Sequence, residues 1–220
     1  MINNIHESWR PFFLKLIDTE FFRAIDQLDN EDIYPNKENI FRVFEMPLDD
    51  IKVIILGQDP YPNANQAIGL AFAVSAETNI PVSLRNIQKE IGHDIDRTLI
   101  PWSKQGVFLL NTALTVKRKQ AGSHIKLWHY FTAKLIKFIS EHHPSIWMLW
   151  GKKAQDHISF INNYVYDYPS IGEENRNIIL MAAHPAAESY KQNAGFFGCD
   201  HFNMANRVLN AINKENINWY

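Results

Sequence analysis

The sequence predicts an α/β protein, built as a three-layer α/β/α sandwich around a central, mostly parallel four-stranded sheet. Four short segments are continuously apolar, which is typical of strands that are buried on both faces of a sheet. Long stretches with helical spacing of apolar residues separate them, and these leave room for the crossover helices that parallel strands require. The length of 220 residues fits one core, so a single domain over residues 1–220 is expected.

The four predicted strands are, in chain order, 52–56 (KVIIL), 107–110 (VFLL), 146–150 (IWMLW) and 178–182 (IILMA). A helix is predicted after the first strand, with Ser83 as its N-cap and an apolar face formed by Leu84, Ile87 and Ile91. Apolar spacings of three and four predict further helices around 9–28, 127–139 and 202–212.

Composition excludes several classes of protein. With 46% hydrophobic and 21% charged residues, the chain is neither collagen-like, nor of low complexity, nor wholly disordered. Cys199 is the only cysteine, which excludes an internal disulfide and a four-thiolate metal site made by one chain. A net charge of −2 argues against indiscriminate coating of nucleic acid. The sequence contains neither a predicted membrane span nor a secretory signal. We therefore expect a cytoplasmic protein, or a nuclear or viral-factory protein if the host is eukaryotic or viral.

Polar residues follow three of the predicted strands. Asp59 comes after the first strand, Asn111 after the second and His184 after the fourth. Because ligands of such sheets bind beyond the carboxyl ends of the strands, we expect these three side chains to meet. The carboxamide matches the edge of an amide or a pyrimidine, the imidazole can donate to an oxygen, and the carboxylate can hold water or face a developing cation. With Tyr61 and Phe72 as flat surfaces, the sequence predicts a site for a planar heterocycle.

Four motifs together resemble the family 1 uracil-DNA glycosylases. They are GQDPYPNANQAIGLAFAVS at 57–75, QGVFLLNTALTV at 105–116, HP at 184–185 and AGFFGCDHF at 194–202, and they occur in the family's order. The resemblance implies hydrolysis of the N-glycosidic bond of uracil in DNA by a monofunctional enzyme without metal or other cofactor. It also implies that Asp59 positions the attacking water and stabilises the oxocarbenium-like sugar, while His184 donates to O2 of the leaving base.

The same resemblance implies how the base is bound. Gln58 matches a residue whose backbone helps to bind uracil, and Asn111 matches the side chain that reads the pyrimidine edge. Tyr61 matches the wall that excludes the thymine methyl group, and Phe72 matches the ring that stacks on uracil. A flipped-out base would be needed, since the glycosidic bond is inaccessible inside a duplex.

DNA contacts are also implied by the resemblance. Ser83, the pair Ser123 and His124, and Ser189 match residues that face DNA phosphates. Their partner would be uracil-containing DNA, single- or double-stranded, bound by a monomer. A proteinaceous glycosylase inhibitor could share the same groove.

The sequence departs from the family pattern at two motifs. GQDPYP carries Pro62 where an imidazole is usual, and HPAAES carries Ala186 for a serine and Glu188 for the leucine that wedges into the DNA stack. A carboxylate is a poor wedge among phosphates. The route from this motif to GFFGC is also longer than usual, and Tyr190 is our hypothesis for the residue that inserts instead.

These departures leave two alternatives open. One is a catalytically weak protein that binds DNA or a replication partner on the same fold. The other is a glycosylase with altered base specificity, because Pro62 borders the expected pocket. A metal site is not expected, since the nine histidines and Cys199 show no recognised ligand spacing.

Overall fold

The computed structural model describes residues 4–16, 25, 28, 32–166 and 175–220. Its main sheet has five parallel strands, which lie side by side in the order 107–111, 53–57, 146–150, 177–182 and 164–166. The seven strands of the described chain are β1 Ile33–Tyr34, β2 Val53–Gly57, β3 Val107–Asn111, β4 Val116–Lys117, β5 Ile146–Trp150, β6 Tyr164–Tyr166 and β7 Asn177–Ala182. The strands β1 and β4 form a separate antiparallel pair.

The predicted sheet of four strands is one strand short. The additional strand β6 pairs with β7 at the edge of the sheet, with Tyr164 opposite Asn177. Its three residues are half-buried or exposed. Because only one side of β6 is paired and little of it is buried, it lacks the long apolar run by which the other strands were predicted.

The six helices given in full by the described residues are α1 Arg10–Leu14, α2 Val82–Ile91, α3 Ile100–Ser103, α4 Ile125–His142, α5 Lys152–Gln155 and α6 His201–Ala211. Short 3₁₀ helices lie at Glu7–Trp9, Lys37–Asn39, Arg42–Glu45, Leu48–Asp50, Ile158–Phe160 and Pro185–Ser189. The helix predicted around 9–28 begins as the 3₁₀ turn ending at Trp9 followed by α1. Most of its remainder lies outside the described residues.

The prediction of Ser83 as an N-cap is wrong. The helix α2 begins one residue earlier, at Val82, and Pro81 is its N-cap. Proline is compatible with a helix start because it has no N–H group to leave unpaired. Ser83 is therefore inside the first turn, where its side chain is buried.

Helices cover both faces of the sheet. Phe131 of α4 packs with Phe44, which contacts Phe108 of β3. On the other face, Phe202 of α6 contacts Trp150 of β5. Phe108 is in register with Ile54 and Trp147, and Trp150 lies three residues beyond Trp147, so the two contacts are on opposite faces. This arrangement is the predicted three-layer sandwich.

The parallel arrangement fixes where the loops after the strands lie. Gly57 at the end of β2 is directly opposite Asn111 at the end of β3. Trp150 and Ala182 end β5 and β7 in the same register. The segments that follow these four strands therefore all leave the sheet at the C-terminal ends of its strands. No helix among the described residues combines the length and the apolarity needed to cross a bilayer.

Candidate active site

A cavity of about 270 Å³ opens where β2, β3 and β7 end. Main-chain and side-chain atoms from the segments after these strands line it, together with residues from the loop before α4 and from α2. The lining residues are Gly57, Gln58, Asp59, Pro60, Tyr61, Pro62, Ala67, Leu70, Phe72, Ala73, Ser83, Asn111, Ala121 and His184. All six residues predicted for catalysis and uracil binding thus border one cavity.

Asn111 ends β3 with a buried side chain. Its neighbour across the ladder is Gly57, and a Cβ atom at that position would overlap with Asn111 Oδ1 and lie 3.0 Å from Ala71 Cβ. The missing side chain of Gly57 is therefore what leaves room for the carboxamide. Within the described chain no protein group bonds the Asn111 amide. Its donor and acceptor remain available to a ligand in the cavity.

Asp59 is held by the loop that precedes α4. Its Oδ2 accepts the backbone N–H of Gly122, and its Oδ1 accepts the Gln58 side-chain amide at 3.0 Å. Burial raises the pKa of this carboxyl, while the bonds from Gly122 and Gln58 act in the opposite direction. The same loop is tied to the cavity by Lys119, whose N–H donates to the Pro62 carbonyl at 2.8 Å. Asp59 is therefore fixed in orientation and lies in partly dry surroundings.

His184 follows β7 and precedes the 3₁₀ helix Pro185–Ser189. The Ala186 N–H donates to His184 Nδ1 at 3.2 Å. In a neutral ring this leaves the proton on Nε2, which can donate to a ligand. Burial lowers the pKa of the imidazole and favours that neutral form. Gly151, with φ of +85°, makes the close approach possible, since a Cβ there would lie 2.7 Å from His184 Cβ.

Tyr61 and Phe72 form aromatic walls of the cavity. The Tyr61 hydroxyl lies 2.7 Å from Ser83 Oγ and donates to the Phe72 carbonyl at 3.4 Å. Burial raises the pKa of Tyr61 to about 12, so the phenol stays protonated. Phe72 has φ of +63°, in the left-handed region, and its ring lies 5.5 Å from Trp150 and 5.9 Å from His184. Both rings are thus held by contacts on several sides.

The backbone of Gln58 is anchored to the segment after β3. Its carbonyl accepts the Ala113 N–H at 2.9 Å and the Thr112 hydroxyl at 2.8 Å. The adjoining Gly57 carbonyl accepts the Thr112 N–H at 2.9 Å. The main chain that borders the cavity at this point is therefore rigid.

The four residues predicted to face phosphates have different surroundings. Ser123 is exposed, and its hydroxyl oxygen accepts the Lys117 N–H. Ser189 is exposed as well and accepts a bond from Asn86. The Ser83 hydroxyl instead turns inward to Tyr61, and the His124 side chain is buried with its Nδ1 2.9 Å from Thr115 Oγ1. The side chains of Ser83 and His124 each complete a buried hydrogen bond, and contact of these two residues with a phosphate stays a prediction.

Glu188 and Tyr190, the two residues considered for the wedge, differ in their contacts and in their exposure to solvent. The Glu188 carboxylate accepts backbone hydrogen bonds from residues 194–197. Tyr190, just after the 3₁₀ helix, has a side chain that is 79% exposed. The Sγ atom of Cys199 lies 3.7 Å from Glu90 Oε1.

Gly57, Gly122 and Gly151 shape the site and were not predicted from the sequence. Gly57 could have been identified, because a glycine at the end of a buried strand is typical of a place where another group approaches closely. Gly122, the donor to Asp59, lies 63 residues away from it and carries only the general turn signal of Ala-Gly-Ser. In the part of the chain that the structure describes, no cluster of three or more His, Cys, Asp or Glu could hold a metal ion.

Comparisons with known proteins agree on one family. The model of the uracil DNA glycosylase superfamily matches residues 44–210. A uracil-DNA glycosylase of Francisella philomiragia is 41% identical, and the alignment covers 97% of this chain and 95% of that protein. Another, from Francisella tularensis subsp. novicida, is also 41% identical over 97% of this chain and 94% of its own length.

Solved structures give the same result. The crystal structure of mimivirus uracil-DNA glycosylase superposes with a TM-score of 0.84 at 26% identity, covering 98% of this chain and 87% of that one. A variant of the mimivirus protein, solved in complex with UGI, gives a TM-score of 0.86 at 26% identity, with 100% and 90% coverage. On the match of the family model and the identity to both Francisella proteins, this chain belongs to the uracil DNA glycosylase superfamily.

Proposed function

We propose that this protein is a uracil-DNA glycosylase. It hydrolyses the N-glycosidic bond of a flipped-out deoxyuridine in DNA, releases uracil and leaves an abasic site, which begins base excision repair. The observation that carries the proposal is that Asp59, Asn111 and His184 border one ring-sized cavity between the rings of Tyr61 and Phe72. Family membership supports the same activity.

The chemistry of the reaction fits these groups. Water adds to C1′ of the sugar as the C1′–N1 bond breaks, the bonding electron pair leaves with the uracil ring, and the proton that the water loses ends on the uracil anion. In this scheme the Asp59 carboxylate orients the water and faces the positive charge that develops on the sugar. The neutral His184 donates Nε2–H to uracil O2, where negative charge develops. A charge-assisted bond of this kind strengthens in the transition state, which is what accelerates the step.

Base selection rests on the other residues of the cavity. The unpaired Asn111 amide would bond the pyrimidine edge, and a wrong heterocycle would leave that buried amide without a partner. The ring of Tyr61, fixed by its hydroxyl contacts, would collide with a methyl group at C5. Phe72 would stack on the base, and the anchored Gln58 backbone would complete the rim.

We also propose that the exposed residues near the C-terminal ends of the strands contact DNA. Ser123 and Ser189 have hydroxyl groups free to donate to phosphates. Tyr190 is proposed to enter the base stack in place of the extruded nucleotide, because its ring is large, flat and exposed. The enzyme would act as a cytoplasmic monomer, or a nuclear or viral-factory one according to the host, on single- or double-stranded DNA. By analogy with the mimivirus complex, a proteinaceous inhibitor would cover this face.

A single-uracil oligonucleotide tests the function directly. Incubation with the protein followed by alkali is expected to cleave the strand at the uracil position only. Asp59→Asn is expected to lower turnover by roughly 10²–10⁴-fold while DNA binding, measured by fluorescence anisotropy, persists. Asp49→Asn, an exposed carboxylate near the other end of β2, is the matched control and should leave turnover unchanged.

Other outcomes correspond to the two alternatives. Binding without any cleavage would identify a DNA-binding protein on this fold. Efficient release of thymine, hypoxanthine or a 5-substituted uracil would identify altered base specificity, for which Pro62 in the cavity wall is the first residue to exchange. Full activity of Asp59→Asn would refute the role assigned to that carboxylate.

A further inference from the structure

Glu188 lies in the 3₁₀ helix Pro185–Ser189, and its carboxylate accepts hydrogen bonds from four consecutive backbone N–H groups. The donors, at N···O distances of 3.2, 3.0, 2.6 and 3.0 Å, are Ala194, Gly195, Phe196 and Phe197. Successive N–H groups that converge in this way form a concave binding site for an anion. Here the anion is supplied by the chain itself.

A second carboxylate continues the same arrangement. Glu90 of α2 accepts the N–H of Gly198 at 2.7 Å and that of Asp200 at 3.1 Å. Asn86 of the same helix donates to the Pro185 carbonyl at 2.8 Å. The segment 194–200 is therefore attached by two glutamates to two elements that are themselves joined.

Residues 190–193, which lie between the 3₁₀ helix Pro185–Ser189 and the attached residues 194–197, form the first half of a loop 190–197 with fixed ends. At its start, the N–H groups of Tyr190 and Lys191 donate to the Ala187 carbonyl at 3.1 and 2.9 Å. At its end, the N–H of Ala194 donates to Glu188. Tyr190 projects from this loop with 79% of its side chain exposed. A side chain that is presented from a fixed loop loses less freedom when it binds than one on a loose loop.

The charge of Glu188 is directed at the backbone N–H groups of residues 194–197. The N–H groups of Phe196 and Phe197 lower the pKa of the carboxyl, so it remains ionised at neutral pH. The carboxylate accepts its hydrogen bonds from the backbone of the loop. A carboxylate without such bonds would repel DNA phosphates at this position. The residue at the wedge position of the family motif is thus used as an anchor.

We propose that Glu188 is a positioning residue for base extrusion: it fixes the loop 190–197 so that Tyr190 stands ready to enter the base stack. The inference rests on the proposed function, because it assigns Glu188 a role in opening the duplex and none in breaking the bond. Glu188 should therefore influence activity on duplex substrates and not on single strands, because no base pair has to be opened in a single strand.

The test compares kcat/KM on one uracil-containing sequence presented as duplex and as single strand. For both Tyr190→Ala and Glu188→Ala we expect kcat/KM on the duplex to fall roughly tenfold, because this is the effect of losing one stacking contact between a base and an aromatic ring. On the single strand, kcat/KM should stay within about twofold of the unmodified protein. Because Glu188 acts through Tyr190, the double variant should lose no more than either single variant. Glu215→Gln, an exposed carboxylate at the opposite end of the sheet, is the control and should change neither activity.

Amide hydrogen exchange in DNA-free protein provides a readout that does not depend on activity. Exchange at 194–197 is expected to be faster in Glu188→Ala, intermediate in Glu188→Gln, which keeps one acceptor oxygen, and unchanged in Glu215→Gln. Equal losses on both substrates, additive losses in the double variant, or unchanged exchange would each overturn the proposal. Absence of uracil release by the unmodified protein would contradict the proposed function instead, while the exchange data would still support or refute the anchor.

Discussion

At the scale of single residues, the cavity contains a carboxyl group and an imidazole whose pKa values are shifted in opposite directions by their surroundings. Burial raises the pKa of Asp59 from its ordinary value of 3.8, and burial lowers the pKa of His184 from 6.5. The cause is the same for both, since a dry environment disfavours whichever form is charged. The difference in sign follows because the ionised form is the base for Asp59 and the acid for His184.

The pH dependence of activity follows from these two directions. The proposed reaction needs ionised Asp59 and neutral His184, and both forms are favoured as the pH rises. We therefore expect kcat/KM on single-stranded uracil DNA to fall on the acid side only, with the limb due to Asp59 above its ordinary pKa of 3.8 and the limb due to His184 below 6.5. His184→Asn, which keeps a donor but does not titrate, is expected to retain only the limb due to Asp59. An activity that rises as the pH falls below 6.5 would contradict this assignment.

At the scale of elements, the ladder between β2 and β3 determines the floor of the cavity. It places Gly57 opposite Asn111, and the glycine provides the space that the carboxamide occupies. The loops add the rest: the turn before α4 supplies Gly122 to Asp59, and the turn after β7 supplies Ala186 to His184. Asp59 is thus oriented by a backbone N–H group from a loop distant in the chain, and His184 by one from its own turn.

Gly57→Ala tests the importance of that space. The new methyl group would displace the Asn111 amide, so we expect the inhibition constant of free uracil to rise by roughly tenfold, about 1.4 kcal/mol of lost binding. If the effect passes through Asn111, Gly57→Ala should cause no further loss in an Asn111→Ala background. The melting temperature of each variant is the control for folding. A tenfold additional loss in that background would show that Gly57 acts by another route.

At the scale of the whole molecule, the C-terminal segment links helices that lie far apart in the chain. Trp219 is almost fully buried, its ring lies 5.0 Å from both Trp102 and Phe202, and its indole N–H donates to the Phe202 carbonyl at 3.1 Å. Trp102 of α3 donates in turn to the Trp219 carbonyl at 3.1 Å. The last residues therefore join α3 to α6.

Trp219→Ala is expected to be strongly destabilising. Loss of a large buried aromatic ring costs about 3–5 kcal/mol of unfolding free energy. Tyr220→Ala is the matched control, since its side chain is 74% exposed and such surface changes usually stay within about 0.5 kcal/mol. Urea unfolding measures both. Similar losses for the two variants would show that the segment does not contribute in this way.

The fold was largely predictable because its signals are local. Continuous apolarity marked the strands β2, β3, β5 and β7 to within one residue at each end. The spacing of apolar residues located α4 and α6. The short edge strand β6 was missed, because pairing to β7 makes it a strand and its own residues carry no distinct pattern.

The sequence by itself determined the fold class, the family and the side chains that follow each strand, since these depend on runs and motifs within a few tens of residues. Only the tertiary structure decided how those side chains are held: Asp59 by Gly122, Tyr61 by Ser83, Glu188 by the loop 194–197, and His124 away from the surface. The physical reason is that a hydrogen bond depends on the position of both partners in space. Periodicity along the chain specifies which face a residue lies on, but it does not specify the distant group that meets it there.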